Sequence, residues 1–136
     1  MIMSIAYANE PLLSADEFQS ILVASSLAAR RPADDLSRLD KMLRGADIIV
    51  TARDGARLVG VSRAITDFSY CCYLSDLAVD AAYQHRGIGK QLIAETHIAA
   101  GEGTTLILLA APAAAGYYPK IGMTHMPNCW ALPRKA

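Results

Sequence analysis

One turn constrains this chain more than any other segment. A strand-like run over residues 70–79 leads through Asp80, Ala81, Ala82 and Tyr83 into Gln84-His85-Arg86-Gly87-Ile88-Gly89-Lys90. A helical pattern then extends from about Ile88 to Ala100, where Gly101 stops it. Two glycines one residue apart let the backbone turn sharply and leave bare amides approachable. The first amides of a helix have no partner within it, and the positive end of the helix dipole reinforces them. Such a turn suits a pyrophosphate, and Arg86 and Lys90 add local positive charge. The same residues would also make a tight strand-to-helix connection with no ligand, and the turn by itself does not separate the two.

Two familiar phosphate motifs are excluded. A dinucleotide fingerprint needs a third glycine three positions after Gly89, where Leu92 stands. A Walker loop needs a glycine five positions before the glycine of Gly-Lys and a hydroxyl after the lysine, and those positions hold Gln84 and Gln91. Thirteen basic and thirteen acidic residues cancel to a net charge of zero, which disfavours nucleic acid as a partner, because binding a long polyanion requires an excess of Lys and Arg. One local anion site remains compatible with that balance.

The surrounding pattern is that of one layered α/β (α+β) domain spanning residues 1–136. Apolar residues in 1–8 suggest a first strand. Ser14 and Glu17 form a capping-box pair for a helix reaching about Ala29, which Arg30-Arg31-Pro32 breaks, since a residue before proline is pushed out of helical geometry. Leu36, Leu39 and Leu43 mark a second helix closed by Gly45. Apolar runs on either side of Asp54-Gly55 predict a hairpin. Residues 105–109 read as a short buried strand, 113–121 as a short helix or turn, and 123–132 as one more strand pair.

With 53% hydrophobic and 19% charged residues the chain is not of the disordered class. The three cysteines have neither zinc spacing nor a disulfide framework, so no metal is expected. The first nine residues lack the basic flank of a secretion signal. The longest apolar stretch, 106–115, contains Pro112 and is about half the length a bilayer requires. These features predict a soluble, cytoplasmic protein with no membrane partner.

The strand Leu74-Ser75-Asp76-Leu77-Ala78-Val79 followed by Gln84-His85-Arg86-Gly87-Ile88-Gly89 resembles the acyl-CoA motif of the GNAT superfamily of N-acetyltransferases: Gln or Arg, two residues, Gly, one residue, Gly or Ala, between a strand and a helix. A second segment, Tyr117-Tyr118-Pro119-Lys120-Ile121-Gly122-Met123, resembles the family's aromatic-Tyr-x-Lys-aliphatic-Gly-aromatic run, with Met123 replacing the usual Phe. The element order fits as well, so the resemblance covers nearly the whole chain. It implies a mixed central sheet of about six to seven strands flanked by about four helices.

The resemblance further implies transfer of an acetyl group from acetyl-CoA to a primary amine by direct attack, without a covalent enzyme intermediate. In that reading the amides of His85, Arg86, Gly87, Ile88, Gly89 and Lys90, with Gln84, hold the CoA pyrophosphate. The backbone of Leu77, Ala78 and Val79 pairs with the pantetheine arm, and an amide there faces the thioester carbonyl. Tyr118 matches the tyrosine that protonates the departing thiolate. Asp76 is the candidate base or ammonium anchor, and Tyr70, Cys71, Cys72 and Tyr73 are candidates to line the acceptor pocket. One departure is Ala111, seven residues before Tyr118, where the family frequently has an Asn contacting pantetheine. That leaves an alternative: a catalytically silent acyl-CoA-binding module that senses its ligand or presents a partner surface. A homodimer is a common arrangement for such domains.

Overall fold

A computed structural model describes residues 4–135. Strand β1 (Ile5–Asn9) is followed by helix α1 (Ala15–Ala24), a 3-10 turn (Leu27–Arg30) and helix α2 (Leu36–Arg44). Next come β2 (Ile48–Asp54), β3 (Arg57–Thr66) and β4 (Cys71–Val79), then a 3-10 turn (Ala81–Tyr83) and helix α3 (Ile88–Ala100). The chain continues through β5 (Thr105–Ile107), a 3-10 turn (Pro112–Ala114) and the short helix α4 (Tyr117–Lys120). The first strand expected from the sequence lies partly outside the described residues.

The five strands form one sheet in the order β1-β2-β3-β4-β5, antiparallel except for the parallel β4–β5 pair. Helices cover both faces. Phe18, Ile21 and Leu22 of α1 and Leu39 and Leu43 of α2 pack with Ile49, Val61 and Ala78 on one side. Ile88, Leu92 and Ala100 of α3 pack with Ile48, Val50, Ala52, Ala64 and Cys72 on the other. A strand buried on both faces has no polar side to show, and Ile48 to Ala52 of β2 are buried without a break.

Several local expectations hold. Ser14 caps α1 by accepting from the Glu17 amide at 3.1 Å, Gly45 follows α2, and α3 has the expected bounds. Others are corrected. Helix α1 stops at Ala24, because the Ser25 hydroxyl turns back onto the Leu22 carbonyl and Ser26 takes a left-handed conformation. The Glu17 carboxylate does not close a capping box but pairs with Arg53 at 2.8 Å. The expected strand pair in 123–132 is absent, so among the described residues the sheet has five strands rather than six to seven. That tail contains Pro127 and Pro133 beside it, and Trp130 and Leu132 are almost fully exposed, so no apolar face is buried to fix a register.

The feature that matters most for the site is a bulge. Arg63 pairs with Asp76 and Ala64 with Leu74, so Ser75 is an extra residue in β4. An extra residue reverses which face the following side chains take. Cys72 accordingly packs on the α3 side and Ala78 on the α1–α2 side, although both numbers are even.

Candidate active site

On the side away from β3, strand β4 has a strand neighbour along only part of its length among the described residues. It pairs with β5 at Cys71, Cys72 and Tyr73, while residues 74–79 run on with no strand on that side. Because β5 ends at Ile107, the sheet opens from Leu74 onward and leaves an edge with no strand partner among the described residues, where the Ser75 and Val79 carbonyls are met by the side chains of Arg31 and Gln84. Such an edge is a template for an extended ligand.

At the Val79 end of this edge stands the glycine turn. Asp80 caps the 3-10 turn by accepting from the Ala82 amide at 2.9 Å and pairs with Arg57 at 2.9 Å. The Tyr83 hydroxyl donates to Asp54 at 2.7 Å, and the guanidiniums of Arg57 and Arg86 lie 5.2 and 5.3 Å from its ring centre. The Gln84 amide donates to the Val79 carbonyl at 3.2 Å. The tip of the β2–β3 hairpin is thereby fastened to the turn. His85 has φ +64° and Gly87 has φ +81°, so the chain passes twice through left-handed geometry, which costs a side-chain-bearing residue about 1–2 kcal/mol. Gly87 is the N-cap of α3 and brings no side chain to cap it. Of the first-turn amides, that of Lys90 is met from outside the helix by the Tyr117 hydroxyl.

Tyr117 on α4 reaches back toward this region, and the Tyr118 ring lies edge to face against it at 5.3 Å between centres. A Cβ added at Gly89 would stand 3.0 Å from the Tyr117 hydroxyl, which also faces the Lys90 amide. Burial raises the pKa of both phenols, and for Tyr118 the neighbouring Tyr117 adds to the rise. Tyr118 therefore stays protonated across the neutral range.

Asp76 lies at the bulge, facing α1 and α2, and is completely buried. One carboxylate oxygen accepts from Arg31 Nε at 2.5 Å and the other from Arg63 Nε. Arg63 also donates to the Ser75 hydroxyl at 3.1 Å and the Met42 carbonyl at 3.3 Å. An incoming amine would have to displace a guanidinium to reach this carboxylate. The sequence reading missed both arginines as site residues. The signal for Arg31 was present in the Arg31-Pro32 step, which sets Arg31 extended at φ −139° and ψ 159°, but its target on β4 was not visible.

The structure brings Leu77, Ala78, Val79, Gln84 and the turn from His85 to Lys90 to one end of the opening. The four residues expected to line the acceptor pocket lie toward its other end. Tyr70 precedes β4, and Cys71, Cys72 and Tyr73 lie where β4 and β5 are still paired, with Cys72 buried in the core. His97 is part-buried and bonds the Thr104 carbonyl at 2.7 Å, joining the end of α3 to the start of β5. Among the described residues no group of three or more His, Cys, Asp or Glu side chains gathers as a metal site, and no helix is long and apolar enough to cross a membrane.

No curated protein sequence matches the chain. Solved structures do. A GNAT-family acetyltransferase protein from Streptococcus pneumoniae TIGR4 is 19% identical with a TM-score of 0.77, covering 98% of each chain. An aminoglycoside N-acetyltransferase in complex with CoA is 15% identical with a TM-score of 0.75, covering 100% of this chain and 98% of that one. An aminoglycoside acetyltransferase from an uncultured soil metagenomic sample, in complex with trehalose, is 20% identical with a TM-score of 0.70, covering 97% and 96%. At these identities the likeness is one of fold. The sequence model of the acetyltransferase (GNAT) domain matches residues 45–124, from the β2–β3 hairpin through the tyrosine pair. That segment is more than half of the chain and contains the glycine turn, the open edge of β4 and α4, and the chain belongs to the GNAT acetyltransferase domain family.

Proposed function

We propose that this protein is an N-acetyltransferase that moves an acetyl group from acetyl-CoA to a primary amine by direct attack. The observation that carries the reading is the continuity of two backbone surfaces, one without a strand partner and one whose N-cap glycine has no capping side chain. The open edge of β4 over 74–79 runs directly into the uncapped start of α3. One extended molecule with a phosphate end could use both. The turn amides from His85 to Lys90, with Gln84, would hold the pyrophosphate, and the backbone of Leu77, Ala78 and Val79 would align the arm. The acyl thioester would then lie toward the bulge.

Acetyl-CoA supplies the activated acyl group; the chain's own residues supply position and a proton. The amine nitrogen first forms a bond to the acyl carbon, moving the carbonyl π pair onto oxygen, and return of that pair then breaks the carbon–sulfur bond. Tyr118 donates its proton to the departing sulfur and recovers one from the acetylated nitrogen through water, so the proton count closes. A strand amide near Leu77 to Val79 would stabilise the oxyanion that develops between these events. In this reading Asp76, buried between two guanidiniums, would position Arg31 and Arg63 in place of the base or ammonium-anchor role expected from the sequence. The protein would work in the cytoplasm, with acetyl-CoA and an amine as its partners and a second copy of itself as a further candidate.

A second reading, an acyl-CoA-binding module without turnover, is favoured by Ala111, which offers no side-chain amide to the arm. Release of CoA thiol across a broad amine panel, with products identified by intact mass, separates the two. At least one amine should accelerate release and emerge acetylated. CoA binding with no accelerating amine would overturn the enzyme and leave the module.

A further inference from the structure

The connection between α1 and α2 delivers a cation to the point where the sheet opens. Arg31 lies over the bulge, and each of its nitrogens is held. Nε donates to Asp76, Nη2 donates to the Ser75 carbonyl at 2.8 Å, and Nη1 donates to the Arg30 carbonyl at 2.8 Å. Behind it Arg63 takes the other Asp76 oxygen. Two guanidiniums thus share one carboxylate, and among the described residues no other acidic side chain pairs with either. The cluster carries one net positive charge. The Arg63 and Asp76 side chains are 10% and 0% exposed, whereas that of Arg31 is 22% exposed. The surplus charge therefore meets solvent through Arg31.

The position along β4 gives this charge a role. At roughly 3.3 Å per residue, the open edge over 74–79 separates the glycine turn from Ser75 by about the reach of an extended arm. The phosphate end belongs at the turn, so the reacting end belongs at the bulge, beside Arg31. A guanidinium has five N–H donors, and the bonds above leave Nη1 and Nη2 each with one to spare. That pair suits a carboxylate, and its rigid hold lowers the entropy lost on binding. The same surplus charge opposes a polycationic acceptor.

We infer that Arg31 selects an acceptor carrying a carboxylate beside its amine, an amino-acid-like compound, by binding that carboxylate while the amine faces the opening between β4 and β5. This rests on the acetyltransferase reading above. Asp76 and Arg63 act through Arg31 as positioning residues.

The test is calorimetric titration of free L-amino acids and their carboxamides, as matched pairs, into the protein in the presence of CoA, where no turnover occurs. The best acid should bind about tenfold or more tightly than its amide, the usual scale for a charge-assisted hydrogen-bonded pair. Arg31→Gln should abolish that difference while CoA affinity is kept. Equal affinity of acid and amide in the unaltered protein, no measurable binding of any acid, or tighter binding of spermidine than of any acid would overturn the inference whether or not the variant folds. Turnover with acetyl-CoA separates it from the reading beneath. Acids that bind with the stated preference while no amine of the broad panel is acetylated leave Arg31's selectivity standing and remove the enzyme. Acetylation of other amines without acid preference does the reverse.

Discussion

Arg31 and Asp76 are 45 residues apart in the chain and 2.5 Å apart in the structure, and Arg63 holds the second oxygen of the same carboxylate. This three-residue cluster joins the helix layer to the bulge in β4. Removing the carboxylate leaves a buried guanidinium without its counter-ion. Asp76→Ala should destabilise the fold by about 3–5 kcal/mol, the cost typical of breaking a buried pair from one side. Urea unfolding measures this directly, and an unchanged midpoint would show that the cluster contributes nothing to stability.

The start of α3 yields two opposed predictions. A side chain at Gly89 would press on the Tyr117 hydroxyl and on Val79, 3.0 and 3.8 Å from the new Cβ. Gly89→Val should weaken CoA binding about ten- to a hundredfold, the equivalent of one lost charge-assisted hydrogen bond, with the melting curve still cooperative. Tyr117→Phe removes the hydroxyl that faces the Lys90 amide and frees that amide for a phosphate oxygen. It should tighten CoA by about two- to tenfold, the scale of one neutral hydrogen bond. Calorimetry with CoA reads both, and an identical affinity in all three proteins would contradict the pyrophosphate assignment.

Tyr118 is raised above its ordinary value of 10 by burial and by the adjacent Tyr117. A proton donor with a raised pKa keeps its proton further into alkali, so the alkaline limb of kcat should fall above pH 10. Tyr118→Phe should lower kcat by about a hundredfold, a usual contribution for a positioned acid, and should erase that limb. Full turnover in the variant at every pH would remove Tyr118 from the chemistry.

Acid should loosen the β3–β4 connection and the β1–β2 edge before the core. Asp67 accepts from the amides of Tyr70, Ser69 and Cys71, and these bonds lower its pKa from 3.8 to about 2. Glu10 is lowered from 4.5, chiefly by its hydrogen bond to Arg53. A depressed carboxylate contributes stability that is complete above its unfolded value and disappears as pH falls through its folded one. Stability should therefore be level above pH 4.5 from these two groups and decline toward pH 2. Asp67→Asn should flatten part of that decline in thermal melts across the range. A slope unaltered by the substitution would assign the acid loss elsewhere.

What the sequence determined by itself was local. The Ser14 cap, the Asp54-Gly55 hairpin, the closure of α2 at Gly45 and the bounds of α3 each depend on contacts within a few residues, and such signals can be read from neighbours in the chain. The glycine turn belongs to this class too, because the left-handed Gly87 and the start of α3 depend on the turn's own backbone. The early end of α1 and the unpaired tail were misread, since Ser25 and Ser26 compete with the helix from within it and the tail buries nothing.

Only the tertiary structure decided the rest. The one-residue bulge at Ser75 is a matter of register between β3 and β4, and it sends Asp76 to the helix-covered face where Arg31 and Arg63 meet it. The opening of β4 depends on how soon β5 ends, and the approach of Tyr117 to α3 depends on where α4 comes to rest. Register and packing join residues tens of positions apart, and no periodicity in a single chain records which of its charges will share a buried carboxylate.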